Sequence, residues 1–182
     1  FTTTKLTEEE QKTWLLDLSG YDFVNRYDTG LLESFTIEDR VYQLPHLLTL
    51  RCLAYNKTMF EEHGWNVPGS YDELITLVKR IRKEAPEVTP IAMSLGGYAY
   101  PFTLVTTLAQ CEFLSTIDGA KWEKDFLAGS GSVGDGWSDG LSMTAGLIDA
   151  GAFDPEKYAG VWDGNVVNND FSQGGSAMMI LW

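Results

Sequence analysis

The sequence predicts an α/β fold in which helices cover a mostly parallel or mixed sheet, and three observations carry that expectation. The stretches Leu47–Tyr55, Pro90–Ser94 and Ala177–Leu181 are apolar almost throughout, the pattern of strands covered on both faces. Segments between them, most clearly Tyr71–Lys83, place apolar residues at helical spacing behind a capping residue. Strand and helix therefore alternate, without an internal repeat, as an α/β layer requires.

Taken in order, Thr7-Glu8-Glu9-Glu10 has the form of a capping box and predicts a short helix to about Leu16. Asp28 or Thr29 can cap another over Gly30–Phe35, and Glu38-Asp39-Arg40 reads as a polar turn. Asn56 or Lys57 opens a helix ending at His63, where Gly64 can take the left-handed position that closes it. Ser70-Tyr71-Asp72-Glu73 is a second capping box. Behind it Tyr71, Leu74, Ile75, Val78 and Ile81 share one helical face. Lys79, Arg80, Arg82 and Lys83 crowd its last turns and are expected on a solvated face near the carbonyl end of the dipole. Pro86 and Pro90 stop this helix. Phe102–Phe113 reads as a buried helix and Gly129–Gly136 as a glycine-serine loop. A helix is expected from about Trp137 to Ala150, with Gly151 beyond its end. Asp154-Pro155 supplies an N-cap and a proline at the first helical position, and Asn165–Gln173 forms the last helix before Gly174-Gly175 breaks it.

Composition narrows the function classes. The 182 residues carry 13 Lys+Arg against 26 Asp+Glu, a formal charge of −13. A surface this acidic repels phosphate backbones, so nucleic acid is not expected as a partner. With 44% hydrophobic and 13% aromatic residues the chain has ample apolar surface to offset ordering entropy. No run approaches the ~20 apolar residues of a membrane span; the best, Leu44–Tyr55, is interrupted by His46 and Arg51. Cys52 and Cys111 form no ligand-spaced pair and are expected as two small buried hydrophobes, with a disulfide open to them in an oxidising compartment. His46 and His63 are isolated, so no metal site and no cofactor is expected. The start Phe1-Thr2-Thr3-Thr4-Lys5, without initiator Met or signal peptide, reads as part of something longer.

Enzyme templates find little here. The P-loop and HExxH are both absent. Asp163-Gly164-Asn165 with Asn168, Asn169 and Asp170 has the look of a calcium loop but lacks the glutamate at its twelfth position, and helix capping is the preferred reading. Acid pairs such as Asp135/Asp139 and Glu61/Glu62 are read as surface charge rather than as glycosidase carboxylates. The aromatics near strand ends say more. Tyr98 and Tyr100 follow one expected strand, and Trp182 follows another. Ligands of open α/β sheets bind beyond the carboxyl ends of strands, and flat rings there suit the C–H faces and hydroxyl rims of sugars. The competing reading is that these rings plug the end of the core.

Two long runs are similar to a known family. Glu38–Pro45 (Glu-Asp-Arg-Val-Tyr-Gln-Leu-Pro) and Leu53–Gly64 (Leu-Ala-Tyr-Asn-Lys-Thr-Met-Phe-Glu-Glu-His-Gly) resemble consecutive segments of extracellular solute-binding proteins of carbohydrate ABC transporters. Val67–Leu74, Thr89–Ala92, Leu147–Gly151 and Phe171–Met178 continue the resemblance in order. The resemblance implies a type II periplasmic-binding-protein-like fold, mainly one lobe plus part of the other. Residues 1–46 would belong to the first lobe, 47–50 to a crossing strand that acts as hinge, and 51–182 to most of the second lobe. It implies a carbohydrate held by ring stacking and polar side chains, with no catalysis. Carried onto matching positions, the ligand contacts would be Thr49, flanked by His46 and Arg51, together with Tyr98, Tyr100 and Trp182. The whole protein would be extracellular or periplasmic, anchored as a lipoprotein, and would dock on an ABC permease. The alternatives are a carbohydrate-active hydrolase, or an extracytoplasmic sensor domain on the same scaffold.

Overall fold

The computed structural model describes residues 6–46, 51–97 and 99–181. Two compact units divide the chain, Phe1–Thr49 and Leu50–Trp182.

The first unit is small and local in its logic. α1 (Glu8–Trp14) starts at the expected capping box: the Thr7 hydroxyl accepts from the Glu10 amide, and the Glu10 carboxylate accepts from the Thr7 amide at 2.8 Å. Asp28 caps α2 (Thr29–Glu33), accepting from the amides of Gly30 and Leu31. β1 (Thr36–Ile37) and β2 (Arg40–Val41) pair antiparallel around a two-residue turn. Glu38 and Asp39 both have positive φ, 50° and 63°, which a hairpin this tight demands. Lys12 holds Glu38 at 2.7 Å, and Arg40 holds Asp17 at 3.3 Å.

The second unit is a mixed sheet with helices on both faces. β3 (Cys52–Tyr55), β4 (Thr89–Ala92) and β5 (Ser176–Leu181) lie in the order β3-β5-β4. β5 runs parallel to β4, with Ile91 opposite Met178, and antiparallel to β3, with Leu53 opposite Ile180. Neighbouring residues of one strand feed different cores, which is why β4 is buried at every position. Ile91 and Met178 face Leu77, Val78, Ile81, Leu104 and Leu147 on one side, while Ala92 and Met179 face Tyr158 and Val167 on the other.

The first of these cores is built by α4 (Tyr71–Glu84), α5 (Ala99–Ala109) and α7 (Val133–Asp149). α3 (Lys57–His63), capped by Asn56 and closed by Gly64 in the left-handed conformation, adds Phe60 to it. α5 passes directly into a π-helical turn, Gln110–Leu114. α6 (Ile117–Leu127) follows, capped by Thr116, in a segment to which the periodicity assigned no element. α8 (Pro155–Tyr158) and α9 (Gly164–Ser172) cover the opposite face.

Several expectations are corrected. β3 is not covered on both faces: among the described residues it is an edge strand, with three of its four residues exposed, and residues 47–50 of the expected strand lie outside the described residues. Half of the expected glycine-serine loop is helix, because Ser132 and Asp135 form a capping box that starts α7 early. Gly140 on α7 lets that helix press against α5: a Cβ there would lie 2.5 Å from the Val105 carbonyl oxygen. Arg80 and Arg82 are not simply solvated. Arg82 donates to the carbonyls of Gly151 and Phe153 at 2.6 and 2.8 Å, closing the turn after α7, and Arg80 pairs with Glu84 at 2.9 Å. Cys52 and Cys111 are exposed free thiols, not buried hydrophobes.

Candidate functional site

β4 and β5 are parallel neighbours, so their carboxyl ends open at the same edge of the sheet. The chain leaving β4 enters α5 on one face, and α9 lies on the other. A crevice between two such helices is where open α/β sheets take ligands. It is occupied by a pocket of about 280 Å³, with Met93 and Ser94 after β4, Ile180 and Leu181 at the end of β5, Tyr100 from the first turn of α5, and Asp163, Gly164, Asn165, Val167 and Asn168 from the start of α9.

Local chemistry fixes each wall. Asp163 is the N-cap of α9 and accepts from the Asn165 amide at 2.9 Å, which turns the carboxylate and the two asparagines toward the start of the helix. The half-buried Tyr100 brings its hydroxyl over Gly164, where a Cβ would lie 3.1 Å away. The loop after β4 is stitched to the segment after α8: the Ser94 hydroxyl and the Gly96 amide both donate to the Val161 carbonyl, the latter at 2.9 Å, and the Leu95 amide donates to the Tyr158 carbonyl at 3.2 Å. Behind α9 the buried Tyr158 hydroxyl donates to Asp170, whose carboxylate also holds Lys157 at 2.5 Å. Burial, and then the hydrogen bond to Asp170, push the Tyr158 phenol well above the ordinary tyrosine range. These bonds set the pocket wall before any ligand arrives. The surface they present has an aromatic ring, one carboxylate, two amides and an apolar floor of Met93, Val167 and Ile180.

Of the residues singled out from the sequence, Tyr100 lines this pocket. Arg51 is exposed and lines a separate apolar groove of about 250 Å³ with Cys52, Leu104 and Cys111. His46 is exposed in the first unit. Thr49, Tyr98 and Trp182 lie outside the described residues. Sequence reasoning weighed Asp163, Asn165 and Asn168 only as a calcium-like or capping run, and the capping reading is what Asp163 does. Their place in the pocket went unnoticed because it depends on which strand ends beside α9. Among the described residues no group of three His, Cys, Asp or Glu side chains is placed to hold a metal ion, and no helix is long and apolar enough to cross a membrane.

Comparison with known proteins gives this geometry its context. The multiple sugar-binding protein of Streptococcus mutans is 29% identical over 91 residues, which cover 47% of this chain and 21% of its own length. A structure from Caldanaerobius polysaccharolyticus, solved in work on xylan utilization, superposes with a TM-score of 0.72 at 24% identity, over 91% of this chain and 41% of that one. The raffinose complex of RafE, a protein known from Streptococcus pneumoniae, gives 0.65 at 25% identity over 95% and 45%. The chain thus spans less than half the length of each of these relatives. The family model described as bacterial extracellular solute-binding protein matches residues 2–182. With a match over nearly the whole chain, and a mixed sheet whose parallel strands end at a polar, aromatic-lined pocket, the chain belongs to the bacterial extracellular solute-binding protein family.

Proposed function

We propose that this chain is part of the ligand-capture component of an ABC importer, and that its ligand is a sugar or oligosaccharide. The observation that carries the reading is the pocket at the ends of β4 and β5, where Tyr100 offers a ring face beside Asp163, Asn165 and Asn168. A pyranose has apolar C–H faces and a rim of hydroxyls, and that combination satisfies both kinds of wall. An uncharged ligand also suits a chain of net charge −13. The sugar-binding name of the Streptococcus mutans relative and the raffinose bound to RafE support the same class.

In this reading residues 1–46 contribute to a first lobe, 47–50 cross over, and 51–182 form most of the second. Thr49, His46, Arg51, Tyr98 and Trp182 join Tyr100 as ligand contacts. The whole protein works outside the cytoplasm, anchored as a lipoprotein, captures the ligand by lobe closure and hands it to a membrane permease. It binds without turnover. A glycosidase needs two carboxyl groups flanking the scissile bond, and among the described lining residues Asp163 is the one carboxylate.

The test is titration with a panel of mono- and oligosaccharides, followed by nuclear magnetic resonance and by product analysis. Saturable shifts at Tyr100, Asn165 and Asn168 with the sugar recovered intact are expected. Cleaved sugar would establish the hydrolase instead, and shifts confined to residues far from Tyr100 would remove the site assignment.

A further inference from the structure

We infer that Asp163 sets the charge selectivity of the Tyr100 pocket, so that the pocket favours amino sugars, admits neutral ones and disfavours uronic acids. The inference rests on the sugar reading above and names the class of sugar within it. Asp163 is the one carboxylate among the described lining residues, and no Lys, Arg or His is among them. A charged substituent entering the pocket therefore meets a fixed negative charge with no basic side chain in the lining to offset it.

The pocket has one feature that ordinarily attracts an anion, the N-terminus of the nine-residue α9. Asp163 already occupies it. Its Oδ1 accepts from the Asn165 amide at 2.9 Å, and its carbonyl accepts from the Val166 amide at 3.1 Å. The cap leaves Oδ2 out. An ionised carboxylate only accepts hydrogen bonds, so that oxygen can take a hydroxyl or an ammonium but not another carboxylate. The other polar walls do not discriminate. Asn165 and Asn168 are neutral amides that serve a hydroxyl or a carboxylate alike, and the Ser94 hydroxyl is already committed to the Val161 carbonyl. Lys157, outside the lining, is matched by Asp170 at 2.5 Å.

The size of the effect follows from exposure. Asp163 is exposed at the pocket rim, so water screens its charge. Two like charges about 5 Å apart in bulk water cost about fourfold in affinity, and more where ligand and walls displace solvent. An ammonium at the same distance gains a similar factor.

The probes are two matched sets, glucose with glucosamine and glucuronate, and cellobiose with deacetylated chitobiose and cellobiouronate. They are titrated calorimetrically at low salt and about pH 6.5, where the amine is protonated and both the uronate and an ordinary aspartate are ionised. The proteins are the full-length parent and its Asp163→Asn, Asp163→Ser and Asp154→Asn variants. Asparagine and serine cap helices about as well as aspartate, so the first two remove the charge and keep the cap. Asp154 caps α8 outside the pocket lining, and its variant makes the same change in net charge. Both Asp163 variants are expected to raise the ratio of uronate to neutral affinity about four- to tenfold and to lower the ratio of amine to neutral affinity by a similar factor. Asp154→Asn should change either ratio less than about twofold, and about 0.5 M NaCl should shrink the parent's discrimination toward that of the Asp163 variants. Ratios unmoved by both Asp163 variants, or moved equally by Asp154→Asn, would overturn the inference and leave the sugar reading standing. No binding of any of the six sugars by the parent would overturn that reading and the inference together.

Discussion

Replacing Tyr158 by Phe tests the clamp that holds α8 and α9 against β4. Tyr158 is 1% exposed, and its hydroxyl donates to Asp170 while accepting a hydrogen bond from the Thr89 side chain. Phenylalanine keeps the ring, so no cavity opens beyond the missing oxygen. What is lost is a hydrogen bond to a charged acceptor, about 1.5–3 kcal/mol. Asp170 keeps Lys157 and has a side chain 17% exposed, so it can partly rehydrate, which places the cost near 2 kcal/mol. For a domain of this size that lowers Tm by roughly 6–8 °C at pH 7.

The sign of the pH dependence is a sharper check. Burial and Asp170 raise the phenol above its unfolded value of about 10, so in the folded protein Tyr158 stays protonated after the unfolded chain has begun to ionise. Its contribution is complete below the unfolded value and drains away as pH rises from there toward the folded value. At pH 10.5 the loss reaches about 0.8 kcal/mol, and the Phe variant has no such loss. The gap between parent and variant, full at pH 7, should therefore narrow by nearly half at pH 10.5. Circular-dichroism melts at pH 7, 9 and 10.5 measure it. Equal Tm values at pH 7, or a gap that stays constant or widens at pH 10.5, would refute the reasoning.

Val78 is fully buried on the sheet-facing side of α4, so Val78→Asp strands a carboxylate in an apolar face and should cost about 4 kcal/mol or more; an unchanged urea midpoint would show the helix register to be wrong. Gly140→Ala puts a Cβ against the Val105 carbonyl and should destabilise by about 1–3 kcal/mol even though alanine is the better helix former by about 1 kcal/mol; a higher Tm would mean that α5 and α7 are not in close contact. Cys52 and Cys111 should titrate with Ellman's reagent as two free thiols in the native chain without reductant, because both are exposed and unbonded in the structure. A chain that yields none until reduced would overturn that placement.

The local signals in this chain are determined by the sequence alone, because each acts over three or four residues. Thr7 with Glu10, Asn56 before α3, Asp154 before Pro155, and Gly64 after His63 all do in the structure what their spacing predicts, and Ser70 caps α4 as expected, although the Glu73 carboxylate accepts from the Gly69 amide instead of closing the box on Ser70. The strands β4 and β5 are legible for a similar reason: strands covered on both faces are nearly continuous apolar runs, and after Thr89 and Ser176 nothing polar interrupts them. Ser132 and Asp135 obey the same rule, and reading the four glycines around them as a loop hid a capping box.

Tertiary structure decided what depends on strand order. Nothing in Cys52–Tyr55 tells that it lies at an edge; that follows from β5 pairing with both β3 and β4, across more than eighty residues of intervening chain. The pocket has the same origin. Ser94, Tyr100, Asp163 and Ile180 meet only because two parallel strands end side by side with α5 and α9 on opposite faces. Local hydrogen bonds and side-chain periods are set by neighbours in the chain, whereas a binding surface is set by which distant segments the buried sheet brings to one edge.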